Sequence, residues 1–187
     1  GIYADPVTEL MVAPPCDSVA ALLLAPEKQA LKITDKPVWI KGVGYNQDAY
    51  YLGDRDLSGC KSMNLAGKMA YNAAGINDPS SEIDVAELFE AYAHEELIFA
   101  EELGFADKGK GAEINSAING DLPINPSGGA LGGNPLCGTG IIRIIEAVKQ
   151  LTGEAGEYQV KGAKKAVASG QIGMCAQNNI LYVLEAN

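Results

Sequence analysis

The feature that most constrains this chain is a glycine-rich stretch, residues 125–140, that runs directly into an apolar helical pattern. Four of the six residues from 128 to 133 are glycine, and Asn134 follows them. Glycine permits positive φ and lets the backbone approach a ligand closely. The first turn of a helix presents unpaired N–H groups, which suit anionic or polarised oxygens. The stretch therefore predicts a loop at the N-terminus of a helix, with Asn134 at its mouth. A turn with only a packing role is the alternative.

The rest of the chain alternates between strand and helix patterns. Apolar, β-branched and aromatic runs predict strands at 19–24, 38–43, 83–88 and 180–184, whereas 164–169 fits a strand or a helix. Helical patterns cover 63–74, which Gly75 ends, then 95–103 and 141–151. Residues 45–57 are predicted to form a loop. This order predicts one α/β domain over residues 1–187, in which helices cover a mixed β-sheet.

Composition excludes several classes of function. The 187 residues carry a formal net charge of −10, which argues against a nucleic-acid-binding face. No apolar run is long enough for a membrane span, and the first residues lack the pattern of a signal peptide. The four cysteines are widely spaced, so a zinc site or a disulfide scaffold is not expected. Free thiols in a reducing cytoplasm are the expectation.

Several motifs resemble thiolases. Residues 125–140 resemble the thiolase loop N-x-S-G-G, spacer, G-H-P-x-G-x-S/T-G, with Asn134 at the histidine position. Residues 89–93 (Phe-Glu-Ala-Tyr-Ala) resemble the motif N-E-A-F-A, with Phe89 in place of its first polar residue. Residues 14–21 are similar to the segment P-x-S-D-G-A-A-A, with Ser18 in place of the glycine, and residues 150–160 are similar to the sterol-carrier or lipid-transfer branch.

This resemblance implies a fold and a set of site residues. It implies the C-terminal half of a thiolase-like fold, whose N-terminal half is absent from this chain. The implied catalytic candidates are Asn134, Glu90, Tyr92, His94 and Cys175. The implied substrate-binding residues are Ser127, Gly128, Gly129 and Gly133. No metal is expected, and coenzyme A enters only as part of the substrate.

Each catalytic candidate also has a structural alternative. An asparagine can donate an N–H to an oxyanion but cannot act as a base near neutral pH. Asn134 therefore favours electrostatic stabilisation over proton transfer. Glu90 fits a buried hydrogen-bonded carboxylate as well as a catalyst. Tyr92 fits a core aromatic, His94 fits a helix surface, and Cys175 lacks the glycine run that follows the second catalytic cysteine in the family.

Three functions remain open at this stage. The first is thiolase chemistry, which makes or breaks a carbon–carbon bond next to an acyl-CoA thioester. The second is retro-aldol cleavage of a β-hydroxyacyl-CoA, which needs no covalent cysteine. The third is a non-catalytic acyl-CoA-binding or scaffolding subunit. The resemblance also implies partners: a complementary N-terminal half, a second copy of the assembled unit and a small OB-fold subunit with a zinc ribbon.

Overall fold

The computed structural model describes the backbone of residues 1–187 and every side chain except that of Tyr3. The strands are β1 (Ile2–Ala4), β2 (Val7–Thr8), β3 (Val38–Gln47), β4 (Val85–Glu87), β5 (Lys165–Ile172) and β6 (Asn178–Ala186). The helices are α1 (Glu27–Ile33), α2 (Lys61–Ala74), α3 (Pro79–Glu82), α4 (Ala93–Glu102) and α5 (Thr139–Thr152). None of the helices in this description is long and apolar enough to cross a membrane.

A four-stranded mixed sheet organises the domain. Its strand order is β3-β6-β5-β4, and β1 and β2 form a separate small ribbon. Neighbouring strands are antiparallel except β4 and β5, which are parallel. The carboxyl ends of β4 and β5 therefore lie at the same edge of the sheet. This architecture confirms the predicted α/β fold with a mixed sheet.

The sheet separates two apolar cores because successive side chains of a strand point to opposite faces. On β5, Val167 belongs to the core under α2 and α4, whereas Ala166 and Ala168 belong to the core under α5. On β6, Val183 and Leu184 divide in the same way. Both faces of the two central strands are thus packed by helices.

Two glycines allow α2 to lie directly on the edge strand β3. A Cβ atom at Gly44 would overlap the carbonyl oxygen of Ala66, and one at Gly42 would overlap that of Ala70. Only a residue without a side chain fits between the strand and the helix at these positions. The small residues of α2 therefore set the distance between this helix and the sheet.

Most predicted elements are confirmed within one to three residues. Helix α2 ends at Gly75, which has φ +73° as expected for a helix-terminating glycine, and the ambiguous stretch 164–169 lies in strand β5. The predicted loop at 45–57 begins later, because β3 continues to Gln47.

The predicted buried strand at 19–24 is wrong. These residues have no regular secondary structure, and Val19 and Leu23 are 97% and 76% exposed. Their apolar pattern is typical of an interior strand, but the described part of the chain offers it no neighbouring strand.

The contact between β3 and α2 yields a prediction about stability. Substitution Gly44→Ala should lower the free energy of unfolding by about 1–3 kcal/mol or more, because the added methyl overpacks the helix–strand contact. Denaturant unfolding of the purified protein measures the change. Gly53→Ala is the matched control, because nothing lies within 4 Å of a Cβ atom built at Gly53. Equal stabilities of the two variants would contradict this role for Gly44.

Candidate active site

The candidate site lies at the carboxyl ends of β4 and β5. Glu87 at the end of β4, and Glu90, Glu95 and Glu96 after it, place four carboxylates near this edge, and the glycine-rich loop approaches the same place. Ile124 forms a parallel bridge with Ala86 of β4, and the N–H of Asn125 donates to the Ala86 carbonyl over 2.7 Å. The loop therefore leaves the sheet edge next to β4.

A buried ion pair joins β4 to α5. Glu87 is fully buried, and Arg143 donates from Nη1 to Glu87 Oε2 over 2.8 Å. The Ser127 hydroxyl donates to the same oxygen over 2.6 Å. Burial raises the pKa of Glu87 to about 7, and the Arg143 guanidinium and the Ser127 hydroxyl oppose that rise. The Glu87 carboxylate thus connects β4, α5 and the glycine-rich loop.

The glycine loop wraps a second buried carboxylate, that of Glu90. This side chain is 1% exposed, and its Oε1 accepts the N–H of Leu131 over 3.1 Å. Gly129 has φ +60°, and a Cβ atom there would overlap Glu90 Oε1. Glycine is therefore required at position 129 by the protein's own carboxylate. Burial raises the pKa of Glu90 to about 7, opposed first by the Leu131 N–H.

Asn125 links Glu90 to a third carboxylate. Its Nδ2 donates to Glu90 Oε2 over 2.9 Å and to Glu96 Oε2 over 2.8 Å. Its Oδ1 accepts the Leu88 N–H over 2.6 Å, so the amide is fixed from both ends. Burial also raises the pKa of Glu96, and Asn125 opposes that rise. One amide thus holds two carboxyl groups beside the loop.

Asn134 is positioned by backbone pairing with the segment at residues 12–16. Its N–H donates to the Pro14 carbonyl over 2.8 Å, and its carbonyl accepts the Cys16 N–H over 3.1 Å. Its Oδ1 accepts the Leu136 N–H over 3.1 Å and the Thr139 hydroxyl over 2.6 Å. Within the described residues, Nδ2 has no such partner, so it is the group of Asn134 that remains able to donate.

The same short segment carries Tyr92 on its other side. Val12 forms an antiparallel bridge with Tyr92, and the Ala13 N–H donates to the Ala91 carbonyl over 2.9 Å. Tyr92 is 42% exposed and stacks on the exposed ring of His94, with centroids 5.5 Å apart. Tyr92 and Asn134 therefore flank one segment. Tyr92 is not a core aromatic, which was its structural alternative.

Cys175 lies in the hairpin that follows β5, at the same edge of the sheet as these groups. It is exposed and has φ +51°. Its carbonyl accepts a hydrogen bond from the Arg55 guanidinium, which also donates to the Met174 carbonyl over 2.9 Å. No hydrogen bond of the described residues joins Cys175 or His94 to Glu90 or Asn134. The structure thus brings Glu90 and Asn134 to one loop and leaves Cys175 in a separate hairpin.

The sequence predicted Ser127, Gly128, Gly129 and Gly133 as substrate-binding residues, and that role stays a prediction. The contacts of Ser127 and Gly129 are with the protein's own carboxylates. Gly128 has φ +96°, and nothing lies within 4 Å of a Cβ atom built there. Gly133 lies beside the Cys16 sulfur, which is 3.3 Å from the position of an added Cβ.

The sequence analysis missed Glu87, Asn125 and Arg143. Two of them carried a signal. Glu87 stands within the apolar strand pattern at 83–88, and Arg143 is flanked by isoleucines on both sides in the helix pattern. Opposite charges inside two buried elements indicate an ion pair, because an unpaired buried charge is costly. Asn125 had no comparable signal beyond its place in the loop motif.

The arrangement supports electrostatic catalysis more directly than proton transfer. Asn134 presents one N–H donor beside the start of α5, where the helix N-terminus adds positive potential. The carboxyl groups of Glu87 and Glu90 are engaged in holding the loop. No cluster of three or more metal-binding side chains occurs among the residues for which side chains are described.

Comparison with known proteins identifies the family of this chain. Residues 44–186 match the family model described as thiolase C-terminal domain-like. The chain is 36% identical over 169 residues to an acetyl-CoA acetyltransferase of Methanothermobacter thermautotrophicus, covering 87% of this chain and 44% of the relative. It is 32% identical to sterol carrier protein 2 of Bos taurus, covering 87% of this chain and 32% of the relative.

A solved structure has a similar fold. The structure named Ltp2-ChsH2(DUF35) aldolase superposes with a TM-score of 0.66 at 27% identity, covering 80% of this chain and 40% of that one. The chain belongs to the thiolase C-terminal domain-like family, as the resemblance of its motifs implied. It spans less than half the length of these relatives.

The buried Glu90 yields a prediction about pH. Its folded pKa of about 7 lies above the ordinary glutamate pKa of 4.5, so between these values the folded state binds more protons than the unfolded state. Its contribution to stability is therefore greatest below pH 4.5 and is lost as the pH rises through 7, by about 3 kcal/mol in total. Glu90→Gln cannot titrate, so its unfolding free energy should rise relative to the parent by that amount over this range.

Denaturant unfolding at half-unit pH steps measures the difference between the two proteins. Glu154→Gln, at an exposed carboxylate, serves as the control and should follow the parent. Parallel curves for the parent and Glu90→Gln would show that Glu90 has the same pKa in the folded and unfolded states.

Proposed function

We propose that this chain is the C-terminal half of a thiolase-like acyltransferase that makes or breaks a carbon–carbon bond next to an acyl-CoA thioester. The observation that carries the proposal is the fixed side chain of Asn134. Backbone pairing and two hydrogen bonds to Oδ1 leave Nδ2 as a fixed N–H donor at the start of α5. Such a donor stabilises the oxyanion that forms when a thioester carbonyl is attacked or enolised.

A second activity, retro-aldol cleavage of a β-hydroxyacyl-CoA, is favoured by two observations. Asn134 cannot accept a proton near neutral pH, so the base that a histidine would supply at this position is missing. Tyr92 presents an exposed phenol across residues 12–16 from Asn134. One solved relative is itself named an aldolase. In this alternative, Asn134 would stabilise the enolate that leaves, and Tyr92 would transfer the proton of the β-hydroxyl group.

The proposed enzyme is an assembly. This chain covers 44% of the acetyltransferase relative, and the remainder of that relative has no counterpart here. We infer that a complementary N-terminal half completes the site and contributes the nucleophile if the activity is that of a thiolase. We further propose that the assembled unit dimerises. The four free cysteines suit a reducing compartment such as the cytoplasm.

The proposal includes a small second subunit with an OB fold and a zinc ribbon. A solved relative is named with a second component, ChsH2(DUF35), which supports a partner of a different kind from a thiolase chain. The formal charge of −10 on the present chain would favour a more basic partner.

The proposed oxyanion donor is tested by substitution of Asn134. In the assembled enzyme, Asn134→Ala and Asn134→Asp should each lower kcat by about 10²–10³. Aspartate keeps the acceptor for Leu136 and Thr139 but has no N–H and adds a negative charge, so it should lower the rate at least as much as alanine does. The measurement is kcat and KM with a β-ketoacyl-CoA plus CoA, and separately with a β-hydroxyacyl-CoA.

The substrate that is turned over distinguishes thiolase from aldolase. Thr139→Val is the matched control, because it removes a hydrogen bond to Oδ1 but leaves the Nδ2 donor in place. We expect it to retain most of the parent activity. Turnover of Asn134→Ala at the parent rate would show that the loop is only a structural turn. Absence of turnover of either substrate by the parent assembly would favour a non-catalytic subunit.

The second subunit is tested by native mass spectrometry of the assembly purified through a tag on this chain. We expect a small chain in addition to the thiolase-type chains, and we expect zinc to accompany it. Detection of thiolase-type chains alone would remove this subunit from the proposal and would leave the acyl-CoA chemistry unaffected.

A further inference from the structure

The proposed reactions need a proton carrier as well as an oxyanion donor. Cleavage of the carbon–carbon bond next to a thioester leaves an enolate, and the α-carbon of that enolate must then receive a proton. The reverse reaction begins with removal of the same proton. Asn134 cannot accept a proton near neutral pH. The group that carries this proton therefore has to come from another residue.

Three of the four carboxylates at the sheet edge support the glycine-rich loop. Glu87 accepts a hydrogen bond from the Ser127 hydroxyl. Glu90 and Glu96 both accept hydrogen bonds from the side-chain amide of Asn125. Because Ser127 and Asn125 belong to the loop, these three carboxylates hold the fold of the site.

The fourth carboxylate, that of Glu95, is bound through one oxygen. Its Oε2 accepts the Ala91 N–H over 2.6 Å and the Gln171 side-chain N–H over 2.8 Å. Among the described residues no group donates to Oε1, and Oε1 is not one of the buried polar atoms that lack a partner. Glu95 is 8% exposed, so its free oxygen reaches solvent from a largely buried position.

Gln171 fixes the Glu95 carboxylate at the carboxyl end of β5. Its Nε2 donates to the Phe89 carbonyl over 2.9 Å as well as to Glu95, so both hydrogens of the amide are used. Glu95 also lies in the first turn of α4, where the helix dipole stabilises a negative charge. The carboxylate is therefore oriented before any substrate binds, with one oxygen available to accept a proton.

Glu95 and Asn134 are linked through the backbone of one short segment. The Ala13 N–H donates to the Ala91 carbonyl over 2.9 Å, and the Asn134 N–H donates to the Pro14 carbonyl over 2.8 Å. Paired strands lie about 4.8 Å apart, so the backbones at positions 91 and 134 are about 10 Å apart. Since Glu95 is bound at position 91, one acyl thioester can contact both side chains.

We propose that Glu95 is the catalytic residue that carries the proton to and from the α-carbon of the acyl-CoA. In cleavage, the electron pair of the broken carbon–carbon bond passes to the thioester oxygen, which Asn134 Nδ2 stabilises. The α-carbon then takes the proton from Glu95 Oε1, which leaves a thioester and a carboxylate. Glu95 recovers its proton from water, which balances the proton released by the β-hydroxyl group or by the CoA thiol.

The proposal rests on the proposed function for its substrate. It applies to both candidate activities, because thiolytic and retro-aldol cleavage each leave an enolate that is protonated at the α-carbon. In the retro-aldol reaction, the proton of the β-hydroxyl group is a separate one, which Tyr92 would transfer. Condensation runs the same steps in reverse and begins with removal of the α-proton by Glu95.

Exchange of α-protons for deuterium tests this step without requiring cleavage of a carbon–carbon bond. The native assembly, purified through a tag on this chain, is incubated in D₂O with acetyl-CoA, and mass spectrometry follows the gain in mass. Glu95→Gln should lower the rate constant of exchange by at least about 100-fold. Glutamine keeps an oxygen for the Ala91 and Gln171 donors and replaces only the free oxygen by an NH₂ group.

Glu95→Asp separates proton transfer from a helix-capping role. A glutamate in the first turn of a helix commonly accepts a backbone N–H at the helix start, and glutamine of the same length also does so. Aspartate keeps an ionisable carboxylate but withdraws it by one methylene. Proton transfer therefore predicts faster exchange for Glu95→Asp than for Glu95→Gln, whereas a capping role predicts the opposite order.

Glu82→Gln is the matched control. Glu82 Oε1 also accepts two backbone N–H groups, those of Asn77 and Asp78, over 2.8 and 2.9 Å. Glu82 ends α3 and precedes β4, so it lies at the sheet edge opposite the candidate site. This variant should exchange α-protons at the parent rate. Equal effects of Glu82→Gln and Glu95→Gln would overturn the proposal.

The outcomes separate this proposal from the proposed function. Undiminished exchange by Glu95→Gln, in an assembly that turns over an acyl-CoA, would overturn the role of Glu95 and leave the function intact. Exchange that depends on Glu95, in an assembly that cleaves neither a β-ketoacyl-CoA nor a β-hydroxyacyl-CoA, would support the proton transfer and count against the function. A parent assembly that exchanges no α-protons would also overturn the role of Glu95.

Discussion

The structure around the candidate site depends on the burial of negative charge at the carboxyl ends of β4 and β5. An ionised carboxylate removed from water is costly unless charged or N–H partners surround it. Glu87 pairs with Arg143 and accepts a hydrogen bond from Ser127, and Glu90 accepts one from the Leu131 N–H of the glycine loop. Satisfying these two carboxylates fixes α5 against β4 and gives the loop its path. The raised pKa values of both groups show that the partners offset the cost of burial only in part.

These buried hydrogen bonds account for a glycine requirement that comes from the protein's own carboxylates. Position 129 must lack a Cβ atom because Glu90 occupies that space. The end of the same loop differs, because Asn134 is held by the backbone of residues 14–16 and keeps Nδ2 free among the described contacts. The first half of the loop therefore works as a support, and its last residue presents a donor at the start of α5. A donor fixed before the reaction avoids reorganisation during it.

The domain combines well-packed cores with an apolar surface that has no cover. The residues between the sheet and helices α2 and α5 include Met63, Val85 and Ala147, all fully buried. In contrast, Val19 and Leu23 are 97% and 76% exposed near an open apolar hollow. Hydrophobic residues of this size stabilise a fold only when they leave water. The chain that carries this uncovered surface covers less than half the length of the two curated relatives.

The sequence by itself determined helices α2, α4 and α5, the central strands and the place of Asn134, because those depend on residues close together in the chain. Helix α1 was not predicted. The helical patterns gave α2 and α5 within two residues, and the loop motif placed Asn134 before a helix. Tertiary structure alone decided the pairing of Glu87 with Arg143, which are 56 residues apart, and the exposure of Tyr92 and Cys175. It also decided that residues 19–24 lack a neighbouring strand. An apolar pattern predicts that a strand is buried, but it does not identify the polypeptide that covers the strand.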